Sequence, residues 1–205
     1  MNEIFITFII PTIGRESLKK SIESLLNQDD NNWNAIIIFD GIKKNIDIIN
    51  DKIKIIEIDK VGIDTIKNAA GLVRNIGIKN VENSAWIGFL DDDDYLSPQY
   101  ISNLKNEILN NDKIEICIFR MAYKNGTVFP SKNDRNIIFK RVGISFAIKK
   151  NVSDSLLFTN NPFEDYLFLK NAQNKKFKIL ISSYVMYFVR TPPTEYNFFP
   201  KILIN

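Results

Sequence analysis

Histidine is missing altogether from this 205-residue chain, and cysteine occurs once. Without imidazole there can be no Ser-His-Asp triad, no Cys-His nucleophile, no HExxH motif and no imidazole-bound zinc. One cysteine forms no intrachain disulfide, and Cys117 lies in the apolar run Ile114 to Phe119, where a buried core thiol is expected. The net charge is only +3, too little to imply a nucleic-acid partner. No apolar run reaches the ~18 residues of a membrane span, and Met1-Asn2-Glu3 lacks the basic start of a signal peptide. Repeats, low-complexity tracts and Gly/Ser linkers are also absent. The expected location is therefore cytoplasmic. Chemistry in such a chain must run on carboxylates, hydroxyls, Lys, Arg, backbone amides or an oxygen-bound metal.

What is present is an ordinary globular balance, 45% hydrophobic and 25% charged. A chain of this mass buries roughly 70% of its unfolded surface, enough for one core. The expectation is a single domain over residues 1–205, in two halves, 1–98 and 99–205.

The first half alternates apolar runs with amphipathic stretches. Ile4 to Ile10, Ala35 to Phe39, Ile53 to Ile58 and Trp86 to Leu90 read as buried strands. Leu18, Ile22, Leu25 and Leu26 form a helical stripe, as do Ala69, Leu72, Val73 and Ile76. Ser97-Pro98 reads as an N-cap followed by proline at the first helical position, with Ile101, Leu104 and Ile108 as the buried face. Such alternation predicts an α/β fold with a parallel sheet and helices on both faces. The second half is less regular. Ile114 to Tyr123, Ile137 to Lys140, Ile144 to Ile148 and Phe177 to Val189 read as strands, Glu164 to Asn174 as a helix, and Thr191-Pro192-Pro193 as a break. Tyr184, Tyr187 and Phe188 are expected in the core.

Open α/β sheets bind ligands at the carboxyl ends of their strands, so the residues after each strand matter most. Asp91-Asp92-Asp93-Asp94 follows Trp86 to Leu90 directly. Four crowded carboxylates raise one another's pKa unless a cation offsets them. A hard divalent ion suits an all-oxygen set, and a solvated acidic turn before the next helix is the other reading. Pro11-Thr12-Ile13-Gly14-Arg15 follows the first strand, and Asp40-Gly41 the second. Gly71 to Gly77, with Arg74 and Asn75, lies on the helix before the acidic strand. Glu164-Asp165 follows Asn160-Asn161-Pro162-Phe163, where helix-start acids behind an Asn161 cap are the alternative.

In this order and spacing these segments resemble the family 2 glycosyltransferases of the GT-A fold. The resemblance runs from Ile4 to about Arg190 and is strongest over Ile6 to Gln28 and Gly71 to Pro98. It implies a Rossmann-like, mostly parallel central sheet flanked by helices, with a small mixed acceptor-side portion. It also implies an inverting transfer from a nucleotide-diphosphate sugar, with UDP the expected nucleotide, to a glycan, protein or lipid-linked acceptor hydroxyl. Carried over by position, Pro11, Thr12, Arg15, Asp40, Arg74, Asn75, Asp91, Asp92 and Arg190 would bind substrate. Asp93 and Asp91 would hold Mn²⁺ or Mg²⁺. Asp165 would be the general base, with Glu164 orienting it or the acceptor.

Departures from the family pattern are a lone Asp40 beside Phe39, Ile13 where tyrosine is common, and no late histidine; Arg190 reads either as a substitute phosphate contact or as a surface charge. A degenerate scaffold that binds nucleotide or glycan without turnover stays open on these residues. The glycine-rich phosphate loop of sugar-1-phosphate nucleotidyltransferases is lacking. The basic segment Lys170, Lys175, Lys176 and Lys178 reads as a solvated helix end and leaves peripheral membrane contact open.

Overall fold

A computed structural model describes residues 4–44, 50–61 and 69–190. The Thr191-Pro192-Pro193 break and the Met1-Asn2-Glu3 start therefore lie outside the described residues.

The chain opens with β1 (Ile6–Thr12), α1 (Leu18–Leu26), β2 (Trp33–Asp40) and β3 (Ile53–Ile58). Every residue of β1 is buried, and all but Asn34 of β2, because both strands are central and covered on both faces. Next come α2 (Ala70–Lys79), β4 (Trp86–Phe89), the short β5 (Tyr95–Leu96) and α3 (Tyr100–Asn110). The second half contributes β6 (Ile116–Tyr123), β7 (Val128–Phe129), β8 (Phe146–Lys149), α4 (Lys150–Ser153), α5 (Glu164–Asn174) and β9 (Ile179–Val189).

One sheet runs in the order β3-β2-β1-β4-β8-β6-β9-β5, with β7 paired to β6. The β3-β2-β1-β4 block is parallel, and β6 and β9 point the same way. Strands β8, β7 and β5 run against them. The sheet is thus mixed but mostly parallel, and its antiparallel members cluster in the second half, where the sequence pattern is least regular. Edge strand β3 carries exposed Lys54 and Glu57, charges that discourage pairing with another chain.

Several local expectations need correction. Ile137 to Lys140 is not a strand: Arg141 N donates to Ile138 O in a turn, and Lys140 has φ +62°. Only Ile137 of that run enters the core, while Ile138 and Phe139 face outward, so its hydrophobicity is not that of one buried strand. Helix α3 starts at Tyr100, not after Ser97, since Ser97 N bonds Met186 O and its hydroxyl bonds Gln99. The pairing of β5 with β9 holds Leu96 extended and delays the helix. Leu26 is exposed at the end of α1, and β9 begins at Ile179. Of the expected core positions, Tyr187 and Phe188 are buried and Tyr184 is only half-buried against the core, while Cys117 is fully enclosed.

Close contacts fix the layers. Phe8 packs across Gly88, its partner in register, and meets Tyr100 edge-on at 5.5 Å. Phe89, Phe146, Phe158 and Phe168 form a second aromatic cluster, with centroid separations of 4.6 to 6.3 Å. That cluster ties β4 and β8 to α5 and to the segment entering it. In this way the fold brings position 91 close to position 164.

Candidate active site

Thr12, Asp40 and Asp91 stand at or just past the carboxyl ends of β1, β2 and β4, where a ligand crevice is expected. The loop Asp91 to Asp94 leaves β4 and enters β5, which pairs with β9, so the acidic cluster sits between the two halves of the sheet.

The four aspartates are not equivalent. Asp92 and Asp94 are buried, whereas the Asp91 and Asp93 side chains stay 34% and 22% exposed. Asp92 accepts from the Thr12 hydroxyl at 2.7 Å and from Arg15 at 2.8 Å. Burial nevertheless raises the Asp92 pKa, with Asp93 and Asp91 adding repulsion. Asp94 accepts from Arg190 N at 3.0 Å and hydrogen-bonds Tyr187; burial, then repulsion from Asp91, pushes its carboxyl well up. Asp93 faces two guanidinium groups, Arg15 at 3.3 Å and Arg190 at 3.1 Å. The offsetting positive charge within the cluster thus comes from arginine side chains.

Arg74 is the hub. Its α2 position is fully buried, and it pairs with Asp91, with Glu164 at 3.0 Å and with Asp165 at 3.7 Å. Its guanidinium also lies 5.5 Å from the centre of the Phe158 ring. Burial works against the Arg74 charge, yet Asp91, Asp165 and Glu164 outweigh it and hold the group protonated beyond its ordinary range. Gly71 makes room for this contact: a Cβ there would lie 3.0 Å from Glu164 Cγ and 3.1 Å from Thr159 O. Asn75 clamps the Phe158 backbone in both directions, its amide donating to the carbonyl and its oxygen accepting from the N–H, each at 2.9 Å.

Glu164 and Asp165 are acids of the first turn of α5, behind an Asn161 side chain that accepts from Phe163 N, as the helix-start alternative expects. Glu164 in addition reaches Arg74. Asp165 keeps a quarter of its side chain exposed, and its Oδ1 has no hydrogen-bond partner among the described residues. Burial raises its pKa to about 7; Arg74 opposes that rise, and Glu164 and Asp91 reinforce it.

Asp40 is placed apart from this hub. Its carboxylate accepts from Val61 N at 2.6 Å and from Lys60 at 3.3 Å, which fixes it at the mouth of β2 and β3. Pro11 is buried within β1 immediately before Thr12. Two residues that the sequence did not assign to the site belong to its wall. Tyr187 Oη accepts from Asp91 N at 3.1 Å and also bonds Asp94. Half-buried Tyr123, at the end of β6, feels both Asp94 and Asp165, which with burial raise its pKa. An apolar strand pattern marks such tyrosines as core; only their position at the strand ends marks them otherwise.

Known proteins are similar to this chain in sequence or in fold. The minor teichoic acid biosynthesis protein GgaA of Bacillus subtilis (strain 168) is 27% identical over 193 aligned positions, taking in 83% of this chain and 43% of GgaA. Residues 1–349 of S. aureus TarS superpose with a TM-score of 0.69 at 16% identity, covering 94% of this chain and 62% of that one. The same TarS fragment in complex with UDP gives a TM-score of 0.70 at 15% identity and the same coverage. The chain thus spans less than half of GgaA and under two thirds of the TarS fragment. Residues 7–188, a span that takes in every site segment above except Arg190, match the family described as glycosyl transferase family 2. The chain belongs to glycosyl transferase family 2.

Proposed function

We propose that the chain transfers a sugar, with inversion, from a UDP-linked donor to an acceptor hydroxyl. The observation that carries this reading is the Arg74 hub, which joins Asp91 on the donor side to Glu164 and Asp165 on the acceptor side. The TarS fragment in complex with UDP, and again with UDP-GlcNAc (TM-score 0.67, 16% identity), supports the choice of nucleotide. Asp40 binds the base, with Pro11 and Thr12 beside it. Arg15 and Arg190, held at the acidic loop, are placed to meet the diphosphate. Residues 1–98 serve the donor and 99–205 the acceptor.

A divalent cation fits the acidic loop in one way. Mg²⁺ and Mn²⁺ take one or two carboxylates and complete their shell with substrate phosphate and water. Asp93 and Asp91, the two partly exposed members, suit that use; among the described residues no three ligating side chains converge into a closed cage. Bound there, Mn²⁺ or Mg²⁺ would supply Lewis-acid stabilisation of the departing diphosphate. Asp92 and Asp94, buried and committed to neighbours, shape the loop.

Asp165 acts as general base. A carboxylate with a pKa near 7 pulls more strongly on a hydroxyl proton than an ordinary aspartate, yet is largely ionised just above neutrality. As the acceptor oxygen attacks the anomeric carbon, its proton passes to Asp165. Glu164, bonded to Arg74, keeps that guanidinium beside Asp165 and so fixes the base. One carboxylate suffices for this displacement, unlike the pair a glycosidase needs.

The test is a thermal-shift series with UDP, with and without Mn²⁺, on the wild type and on Asp165→Asn. A ligand at 100 times its Kd adds about 2.7 kcal/mol of stability. A UDP shift that needs Mn²⁺ and survives in Asp165→Asn, together with loss of sugar transfer in that variant, is the expected result. No shift with UDP in either condition would favour a non-catalytic scaffold, and normal turnover by Asp165→Asn would remove the base assignment.

A further inference from the structure

We propose that Phe139, Phe163 and Tyr166 form a platform for one sugar ring of the acceptor, next to the unit whose hydroxyl reacts. This rests on the transferase reading above and adds a binding site to it. Phe139 meets Phe163 edge-on at 4.8 Å and Tyr166 at 5.2 Å, with interplanar angles of 75° and 64°. Phe139 and Phe163 remain 44% and 47% exposed. Clustered exposed aromatics are a hydration cost, so a bound partner is the natural reason for their grouping.

The rings are held in place. The turn carrying Phe139 is closed by Arg141 N on Ile138 O, and Arg141 is tied to Asp134 at 3.0 Å. Asp134 in turn accepts from Ser131 N at 2.7 Å. Phe163 and Tyr166 are three residues apart at the start of α5 and so share one side of it. Glu164 and Asp165, between them, turn toward Arg74.

Both segments that carry the rings also border the candidate base. Asp165 directly precedes Tyr166, and a Cβ on Gly143, just past the turn, would lie 4.0 Å from Asp165 Oδ2. Continuity with that carboxylate makes an acceptor sugar the occupant rather than an unrelated protein. The chemistry matches as well. A pyranose presents its C–H face to the negative face of an aromatic ring and its hydroxyls to polar groups around it. Lys140, whose Nζ lies 5.6 Å from the centroid over the Phe139 ring, supplies such a polar group beside Phe163 and Tyr166.

Saturation-transfer NMR with the methyl glycosides of glucose, galactose and N-acetylglucosamine tests the platform without knowing the natural acceptor. The wild type should transfer saturation to the ring C–H protons of at least one glycoside. The signal should fall about tenfold in Phe139→Ala/Phe163→Ala, the size expected for losing a central aromatic contact. Phe139→Tyr/Phe163→Tyr should restore it, and thermal unfolding of each variant reports its folding. Undiminished transfer in the alanine variant, or none with the wild type, would overturn the proposal. So would sedimentation with phosphatidylcholine/phosphatidylglycerol vesicles by the wild type but not the alanine variant, which would assign the rings to lipid. The UDP shift of the wild type reads the donor site separately, so failure of the transferase reading is distinguishable.

Discussion

The Arg74 guanidinium donates to the Glu164 carboxylate at 3.0 Å across 90 positions of sequence, and both groups are buried. The pair closes a chain of charge from the acidic loop to the base. A buried cation surrounded by carboxylates is stabilising only while its partners remain.

Removing the cation therefore exposes the penalty. Arg74→Met should cost roughly 3–5 kcal/mol in urea unfolding, since Glu164 and Asp91 lose their counter-charge together. A loss below about 1 kcal/mol would mean that the carboxylates find other partners or take up protons.

Activity and stability should respond oppositely to pH. The folded-state pKa of Asp165, about 7, exceeds its ordinary 3.8. Between those values the folded chain keeps a proton that the unfolded chain has released, so this group's contribution to stability falls as pH rises from 3.8 through about 7. Transfer should rise through the same upper value as the base ionises. Asp165→Asn should abolish transfer, make stability fall less steeply with pH, the buried Asp92 and Asp94 keeping part of the slope, and be more stable than the wild type above neutrality. Equal pH dependence of melting in the two proteins would contradict the environment assigned to this carboxylate.

Gly71→Ala should cost about 1–3 kcal/mol, because the new methyl meets Glu164 Cγ, Phe158 Cβ and the Thr159 carbonyl at 3.0 to 3.1 Å. Transfer should fall along with stability, since the methyl displaces Glu164 from Arg74. Chemical denaturation and a transfer assay on the same sample check both. A neutral substitution would show that the 158–159 segment gives way freely.

Tyr187→Phe should weaken the acidic loop. It strips Asp91 N of its acceptor and Asp94 of a hydrogen bond, at a stability cost of about 1–3 kcal/mol. The UDP shift in the presence of Mn²⁺ should shrink while the fold persists by circular dichroism. An unchanged shift would make Tyr187 a packing residue only.

Asp93→Asn and EDTA should act alike on the donor site. Either should remove the Mn²⁺-dependent part of the UDP shift and leave the unfolding midpoint of the free protein nearly unchanged, since among the described residues the ion pairs of Asp93 are with the exposed Arg15 and Arg190. A UDP shift insensitive to both would place the diphosphate on arginine alone.

The sequence by itself determined the central sheet. Continuous Ile and Phe runs with no polar alternation allow only strands covered on both faces, which yields β1, β2 and β4 and puts Thr12, Asp40 and Asp91 at their carboxyl ends. The family resemblance rested on those positions, and the profile match over residues 7–188 agrees with it. Local pattern misled where a run was short or its surroundings decided. Ile137 to Lys140 became a turn because only Ile137 had a core to enter. Glu164, an acid of the first turn of α5 as local rules expect, also binds Arg74, which no local rule shows. Only the tertiary structure could decide which of four consecutive aspartates are buried, that Tyr187 supports Asp91, and that Phe139 joins Phe163 and Tyr166. Each depends on the field and packing of residues far away in the chain. Hydrophobic periodicity is a local record of what must leave water, whereas the partner of a buried charge is chosen by the fold.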